Sequence, residues 1–304
     1  MSPADPRTAV VIATRNRAAC LGFALARLLA LPERPRIVVV DNGSSDGTPA
    51  IVRAGFSTVE VVSLPANRGA AARNVGVERV MAPYVAFADD DSWYAPGALA
   101  TAANLLDRHP RLGLIAARVL VGPDETIDPT CAVMAASPLR ATDLPGPAVL
   151  GFLACGAVVR RAAFLAAGGF SGRFGVGGEE ELLAIDLAAA GWSLAYIPSV
   201  VAHHHPPLRP ASADRRRVQA RNALWSAWLR RRPAGALRRT LRLVRPALRD
   251  PVTRAGVVAA LGGLVHVVRD RRPVPAWLER DLRRLDGGLQ LHANSSCVSP
   301  RRRC

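Results

Sequence analysis

The chain contains no lysine, and all 40 of its basic residues are arginine. That excludes Schiff-base chemistry on a lysine amine and a Walker-type phosphate loop, which requires one. Aromatic residues supply only 5% of the 304 positions. Cysteine is scarce too. Cys20, Cys131, Cys155, Cys297 and Cys304 are odd in number, scattered and free of any Cys-x-x-Cys pair. They read as reduced, buried or incidental thiols of a cytosolic protein. The opening MSPADPRTAVVIATRNR holds Asp5 and no long apolar core, so no secretory signal is expected. The most apolar late stretch, Ala255 to Val268, is 14 residues interrupted by His266, too short to span a bilayer.

What is present is a globular composition, 50% hydrophobic and 21% charged. It suffices for one large domain or two small ones and excludes disorder of the whole chain. The net charge of +16 would suit a nucleic-acid binder until it is divided along the chain. Residues 1–208 hold 17 arginines against 18 acidic residues, whereas residues 209–304 hold 23 against 6. Two regions are therefore expected: a neutral binding or catalytic domain over 1–208, and a basic, helical extension over 209–304 that meets an anionic surface, phospholipid or nucleic acid. The tail from Gly287 is low in apolar content and is expected to fray.

Hydrophobic spacing fills in the first region. Apolar runs at Thr8 to Ala13, Arg36 to Val40, Val59 to Ser63 and Tyr84 to Ala88 predict buried strands. Helical spacing falls between them, at 18–31, after DNGSSDGT, and at 69–80. Alternating strands and helices with polar loops after the strands predict a doubly wound, mainly parallel sheet that binds ligands at its C-terminal strand ends. Further on, helices are expected at Leu99 to Leu106 and 179–190, and strands at Leu112 to Val121 and Gly151 to Val159. A final strand pair is expected at Leu194 to Ile197 and Val200 to Ala202. Pro123 to Pro147 is rich in turn formers.

Chemistry concentrates where these strands end. FADDDS places Asp89, Asp90 and Asp91 at the mouth of a buried strand. Adjacent carboxylates repel one another unless a cation sits among them, and the Asp89-x-Asp91 spacing lets alternate residues of an extended chain reach one divalent ion. A helix cap would explain one such aspartate but not three. Asp41, at the head of DNGSSDGT, suits hydrogen bonds to a base or ribose, although a turn with a helix cap would read the same way. NRGAAARN offers Arg68 and Arg73 beside a glycine, features suited to a diphosphate. In GGFSGRFGVGGEEEL a glycine-rich loop delivers Glu179, Glu180 and Glu181 to the start of a helix, where a carboxylate is a candidate general base. First-turn glutamates that merely complement the helix dipole are the plainer explanation. His203, His204 and His205 follow the last strand, and metal ligation or phosphate contact suits such a triplet.

Taken in order, VVIATRNR, VVVDNGSSDGT, NRGAAARN, FADDDS, GGFSGRFGVGGEEELL, AAGW and YIPSVVAHHH resemble the family-2 glycosyltransferases of the GT-A fold, over about residues 8–205. The resemblance implies a mixed, mainly parallel Rossmann-like sheet flanked by helices. The implied reaction moves a sugar from a nucleoside-diphosphate donor (UDP, GDP or dTDP) to an acceptor hydroxyl with inversion. The acceptor would be a saccharide or lipid-linked, as in cell-envelope polysaccharide or glycolipid synthesis.

By the same resemblance Thr14, Arg15, Asn16 and Asp41 hold the nucleoside, with Arg73 and the turn from Asn67 to Gly69 near the donor. Asp89 lies by the ribose, Asp90 beside it, and Asp91 binds Mn²⁺ or Mg²⁺, which offsets charge on the departing diphosphate. Glu180 aligns with the family's catalytic aspartate, with Glu179 or Glu181 taking the role if the register slips by one. The late metal ligand is His203 or His204, His203 being favoured.

Leu224, Trp225, Trp228, Leu229, Leu237 and Leu241 between arginines fit either helices lying on anionic lipid at the inner face of the plasma membrane or a helical cap on the catalytic domain. Two other classes compete: a nucleotidyltransferase, which would carry a glycine-rich triphosphate loop that ATRNRAA lacks, and a non-catalytic nucleic-acid binder using the arginine-rich C-terminus, for which no reader motif is present.

Overall fold

The computed structural model describes residues 5–140, 142–206 and 212–295, with side chains through Gly287. Four parallel strands form its first half: β1 (Thr8–Thr14), β2 (Arg36–Asp41), β3 (Glu60–Ser63) and β4 (Tyr84–Ala88). The second half adds β5 (Ser92–Tyr94), β6 (Leu112–Val121), β7 (Thr126–Ile127), β8 (Ala157–Arg160) and β9 (Ser193–His204). The order across the sheet is β3-β2-β1-β4-β8-β6-β9-β5, with β7 paired to β6. β8 runs antiparallel to both neighbours and β9 parallel to β6. The mixed, mainly parallel sheet with flanking helices is the expected fold class.

Strand parity sorts the core into two layers, because successive side chains leave a strand on opposite faces. Val10, Ile12, Ile37 and Val39 pack beneath α1 (Ala18–Leu29), α2 (Thr48–Gly55) and α4 (Ala98–Arg108). Val11, Val38, Val40 and Phe87 face the other way, toward α3 (Ala72–Arg79), α6 (Arg161–Ala166) and α7 (Glu179–Ala189). On that face α3 approaches so closely that a Cβ at Gly76 would lie 2.4 Å from Val11 Cγ1.

Two expectations require correction. The final strand pair is one strand, β9, whose register with β6 jumps from Ala117 opposite Ile197 to Arg118 opposite Val201. Pro198 has no N–H to give to the ladder, so the chain bulges there and pairing resumes beyond it. The buried strand expected from Gly151 begins only at Ala157, after a 3-10 turn at Ala154–Gly156, because the Ala154 N–H goes to Glu180 instead of a neighbouring strand. Within the turn-rich stretch, α5 (Pro129–Ala135) forms behind an Asp128 cap whose carboxylate accepts the Thr130 N–H at 2.7 Å.

The C-terminal region is helical as expected: α8 (Ala213–Arg230), α9 (Pro233–Ala247), α10 (Pro251–Leu261), α11 (Leu264–Arg269) and α12 (Ala276–Ser295). α12 runs to Ser295, and Leu278 and Leu282 dock its first half in the main core. The boundary at 208/209, Cys297 and Cys304 lie outside the described residues. Much of the apolar content of α8 turns inward. Leu224 and Leu229 are buried, and Trp225 packs on Phe174 at 6.0 Å between ring centroids while its indole N–H donates to Ala260 O at 2.9 Å. Arg230 grips Asp186 of α7 with two hydrogen bonds. These helices are thus a cap packed on the sheet domain, and they still expose Leu248, Val258, Leu261, Val265 and Val268. Among the described residues no helix is long and apolar enough to cross a membrane.

Candidate active site

The crevice opens at the C-terminal ends of β1, β2 and β4, where Thr14 pairs in register with Asp41. Its loops are laced together by side chains. Asn16, held at φ +55°, donates its N–H to Ser44 Oγ at 2.9 Å, and its Oδ1 accepts the Ser45 N–H at 2.8 Å. Asp41 is buried and accepts the Ser44 N–H at 3.3 Å, while Arg15 Nε reaches Gly43 O at 3.4 Å. Asn42 joins this loop to the next one, donating to Gly69 O at 3.0 Å and accepting from the Arg68 N–H at 2.7 Å. Asn67 Oδ1 accepts the Gly69 N–H at 2.9 Å. Gly69 is obligatory: φ is +58°, and a Cβ would fall 2.6 Å from the backbone of Gly175.

The three aspartates leave β4 in three directions, and each meets a cation or a donor. Asp89 is hydrogen-bonded by the buried Arg73, whose charge Asp89, Glu179 and Glu180 sustain against the cost of burial. Asp90 accepts the Thr14 hydroxyl at 2.9 Å and lies 3.1 Å from Arg17 Nε. Burial still pushes its carboxyl up to about 6, although Arg17 and Thr14 pull the other way. Asp91 takes Arg17 Nη2 on one oxygen and faces His204 Nε2 at 3.3 Å on the other.

Antiparallel pairing of β5 with β9 sets Ser92 opposite His204 and Trp93 opposite His203, so the two histidines point to opposite faces. The favoured His203 turns away: it lies 3.1 Å from Glu125 and stacks on Trp93 at 5.5 Å. His204 is the one that faces the crevice. Burial opposes its charge, but the hydrogen bond and charge of Asp91 outweigh this and raise its pKa. His205 packs edge-on against Trp93 at 4.7 Å, and its backbone N–H donates to Asp91 O at 2.8 Å.

Ligand atoms of Asp89, Cys155 and His204 lie within 4.8 Å of one another, so oxygen, nitrogen and sulfur donors converge in the crevice. Asp89 and His204 suit a divalent cation such as Mn²⁺ or Mg²⁺, whereas Cys155, whose thiol burial holds neutral by pushing its pKa well up, borders the set without being a donor for so hard an ion.

The glycine-rich loop brings in the glutamates. Glu179 is buried and folds back to accept the Gly177 N–H, capping its own helix. Glu180 Oε1 accepts the Ala154 N–H at 3.0 Å. Burial and then the charge of Glu179 push the Glu180 carboxyl up to about 7, against the pull of that N–H and of Arg73. Glu181 lies 3.8 Å from Arg239 and lines a mainly apolar cavity but not the polar crevice. The loop is pinned by α8, where Asn222, fully buried, donates to Phe174 O at 2.8 Å and to Gly177 O at 2.6 Å.

Two cavities meet at Glu180. One, of about 260 Å³, is lined by Thr14, Arg15, Asn67, Gly69, Arg73, Asp89, Glu179 and Glu180, together with Arg215 and Gln219 of α8. The other, of about 280 Å³, is mainly apolar, walled by Val133, Met134, Val149, Phe152 and Leu285, and Glu180 lines it as well. The arrangement places one carboxyl, poised near neutrality, between a polar crevice and an apolar one.

Most residues singled out in the sequence thus gather at one crevice. Asn16 and Asp41 shape its loops, Asp90 and Asp91 back it through Arg17, and His203 and Glu181 lie off it. Sequence reasoning missed Arg17, Asn42, Cys155, Arg215, Gln219 and Asn222. Arg17 and Asn42 stood inside quoted motifs. The other four carried no local signal, three of them because they lie in the region set apart by its charge.

Comparison with known proteins bears on the family and the fold. The description "Glycosyl transferase family 2" matches residues 9–166. The succinoglycan biosynthesis protein ExoU of Rhizobium meliloti (strain 1021) is 36% identical over 94 residues, which is 30% of this chain and 28% of that protein. An N-acetylglucosaminyl-diphospho-decaprenol L-rhamnosyltransferase of Mycobacterium tuberculosis is 28% identical over 216 residues, covering 60% of this chain and 70% of its own length. Among solved structures, the mannosyltransferase PcManGT from Pyrobaculum calidifontis, in complex with GDP-Man and Mn²⁺, superposes with a TM-score of 0.59 at 22% identity, covering 97% of this chain and 78% of that one. S. aureus TarS 1–349 gives 0.58 at 16% identity, covering 97% and 93%. These two likenesses bear on the fold, which is GT-A-like.

Proposed function

The chain belongs to glycosyl transferase family 2, and from that premise we propose that it moves a sugar from a nucleoside-diphosphate-sugar to an acceptor hydroxyl, with inversion and with the help of a divalent cation. The observation that carries this reading is the position of Glu180 on the wall shared by the two cavities. A donor in the polar cavity and an acceptor hydroxyl arriving from the apolar side would meet at its carboxylate. Glu180 accepts the hydroxyl proton as the oxygen attacks the anomeric carbon, and the nucleoside diphosphate leaves from the opposite face, which inverts the centre. A base with a pKa of about 7 is ionised in useful proportion at neutral pH and still binds a proton well.

Thr14, Arg15 and the Asn16-laced loops hold the nucleoside over Asp41. Arg73, Asn67 and Gly69 border the diphosphate and sugar. Asp91, Asp89 and His204 would hold Mn²⁺ or Mg²⁺, with Cys155 beside them. When bound, such an ion neutralises charge that grows on the leaving diphosphate. Arg17 keeps Asp90 and Asp91 in place meanwhile.

The relatives point to cell-envelope glycans, one by its succinoglycan role and one by a lipid-diphosphate acceptor. These names support a saccharide or lipid-linked acceptor, and we place the chain at the inner face of the membrane as part of the same reading. The exposed Leu248, Val258, Leu261, Val265 and Val268 beside the arginines of the same helices support peripheral binding to anionic lipid. Co-sedimentation with anionic vesicles at low salt checks this, and a chain left wholly in the supernatant would contradict it.

The test of the main reading is a melting panel of UDP, GDP, dTDP and CDP, each with and without Mn²⁺. A ligand at a hundred times its Kd stabilises by about 2.7 kcal/mol. One nucleotide should raise the melt only with metal, and Asp91→Ala should abolish the shift. No response from any nucleotide would count against the reading.

A further inference from the structure

A third cavity, of about 480 Å³, lies across the glycine-rich loop from the donor crevice. Four arginines line it: Arg68 from the turn after β3, Arg173 from the loop itself, and Arg215 and Arg221 from α8. Among the described residues lining it, the one carboxylate, Asp214, is turned to Arg217 at 2.7 Å. Arg221 is fixed by a hydrogen bond from Nη2 to Phe174 O at 3.0 Å and by stacking on Trp225, 4.3 Å from the ring centroid. Burial and the neighbouring Arg217 make its charge costlier than usual, so its pKa is lowered. Among the described residues, no ion pair is formed by the side chains of Arg68, Arg173 or Arg215. Such a group of guanidinium forks is complementary to the oxygens of a phosphate, which they can take in bidentate fashion.

We propose that this arginine cavity binds a phosphate or diphosphate group carried by the acceptor. The inference rests on the glycosyl-transfer reading above. In that reading the donor lies in the other cavity, its nucleoside beside Arg15 and its diphosphate beside Arg73 and the cation site. The two cavities nevertheless share Asn67, Gly69, Val176 and Arg215, so an anion held by the four arginines lies one loop away from the donor. An acceptor anchored there by its phosphate is held at a fixed reach from Glu180. The same contacts would let the enzyme reject acceptors without a phosphate, since they would leave the cluster uncompensated.

The binding test needs no turnover. Inorganic pyrophosphate is titrated calorimetrically into the full chain without divalent cation, alongside Arg173→Ala and Arg68→Ala, which alter the arginine cavity alone, and Arg15→Ala, which alters the donor crevice alone. Loss of one charge-assisted contact should weaken binding about tenfold in Arg173→Ala and Arg68→Ala, with Arg15→Ala within about twofold of the parent. Loss in Arg15→Ala with the other two unchanged, or no binding by the parent, overturns the proposal. A kinetic arm separates the sources of the anion. Pyrophosphate competitive with the acceptor supports an acceptor-borne phosphate; competition with the donor, or with neither, as for a free regulatory anion, overturns it. Failure of the nucleotide melting panel would strike the glycosyl-transfer reading and leave the calorimetric result standing.

Discussion

The crevice and the C-terminal cap both gather charge in partly buried places, and they settle it differently. In the cap, Arg231 is buried and meets Glu279 at 3.2 Å and Asp286 at 2.9 Å. Burial works against the charge of Glu279, but Arg231 outweighs it and holds the carboxyl below its ordinary range. In the crevice, Arg17 and Arg73 serve three aspartates and border two glutamates, and Asp90 and Glu180 remain raised to about 6 and about 7. A structural network is one whose charges close on themselves. A site that awaits a ligand keeps a surplus, and here the surplus of carboxylates is what a cation and a carboxylate base require.

The sharpest way to break the contrast is to open the closed network. Arg231→Ala takes from the buried Glu279 its one buried guanidinium partner among the described residues, leaving it the Arg232 N–H and the more exposed Arg283, and should cost about 3 to 5 kcal/mol in chemical denaturation. An equally large loss in Asp90→Asn would erase the distinction, because removing surplus charge from the crevice should cost little or even stabilise. Next in size is Asn222→Ala, which leaves the Gly177 carbonyl without its donor and the Phe174 carbonyl with Arg221 alone. About 1 to 3 kcal/mol of stability should go, and transfer should slow with it, because the loop that delivers Glu180 loses its tether. Unchanged transfer in a folded Asn222→Ala chain would free the loop from the cap.

A different kind of effect is the pH dependence of stability. The folded pKa of Glu180 is about 7 against an ordinary 4.5, so between those values the native state holds more protons than the unfolded one. Stability therefore falls as pH rises through that window, and Glu180→Gln should flatten the slope. A slope of the opposite sign at this residue would show the carboxyl to be stabilised as an anion. The smallest change belongs to the surface: Arg269→Ala, at an exposed pair with Asp270, should leave the melting temperature where the parent has it, because water screens the pair. A clear drop there would mean that the cap's surface charges also form part of its closed network.

The parallel strands and their loops were legible because continuous Val and Ile runs broke into polar motifs at each strand end. The aspartates and glutamates stood out for the same reason. Which histidine faces the crevice was not legible, since the bulge at Pro198 shifts the register that a count from the strand start would use. Neither was the turn at Ala154, whose N–H is claimed by a glutamate 26 positions later. The arginine excess of the C-terminus hid a division of labour: Arg230 and Arg231 are structural, Arg215 and Arg221 face cavities, and spacing alone does not tell them apart.

The central claim is that Glu180 takes the acceptor proton, and the most direct measurement is the pH profile of transfer by the parent and by Glu180→Gln, with donor affinity recorded in parallel. The parent rate should rise with pH and level off above about 7. Glu180→Gln should bind the donor as the parent does and lose about a hundredfold to ten-thousandfold in rate at every pH. A variant that keeps the parent's rate and profile would place the base elsewhere and contradict the account.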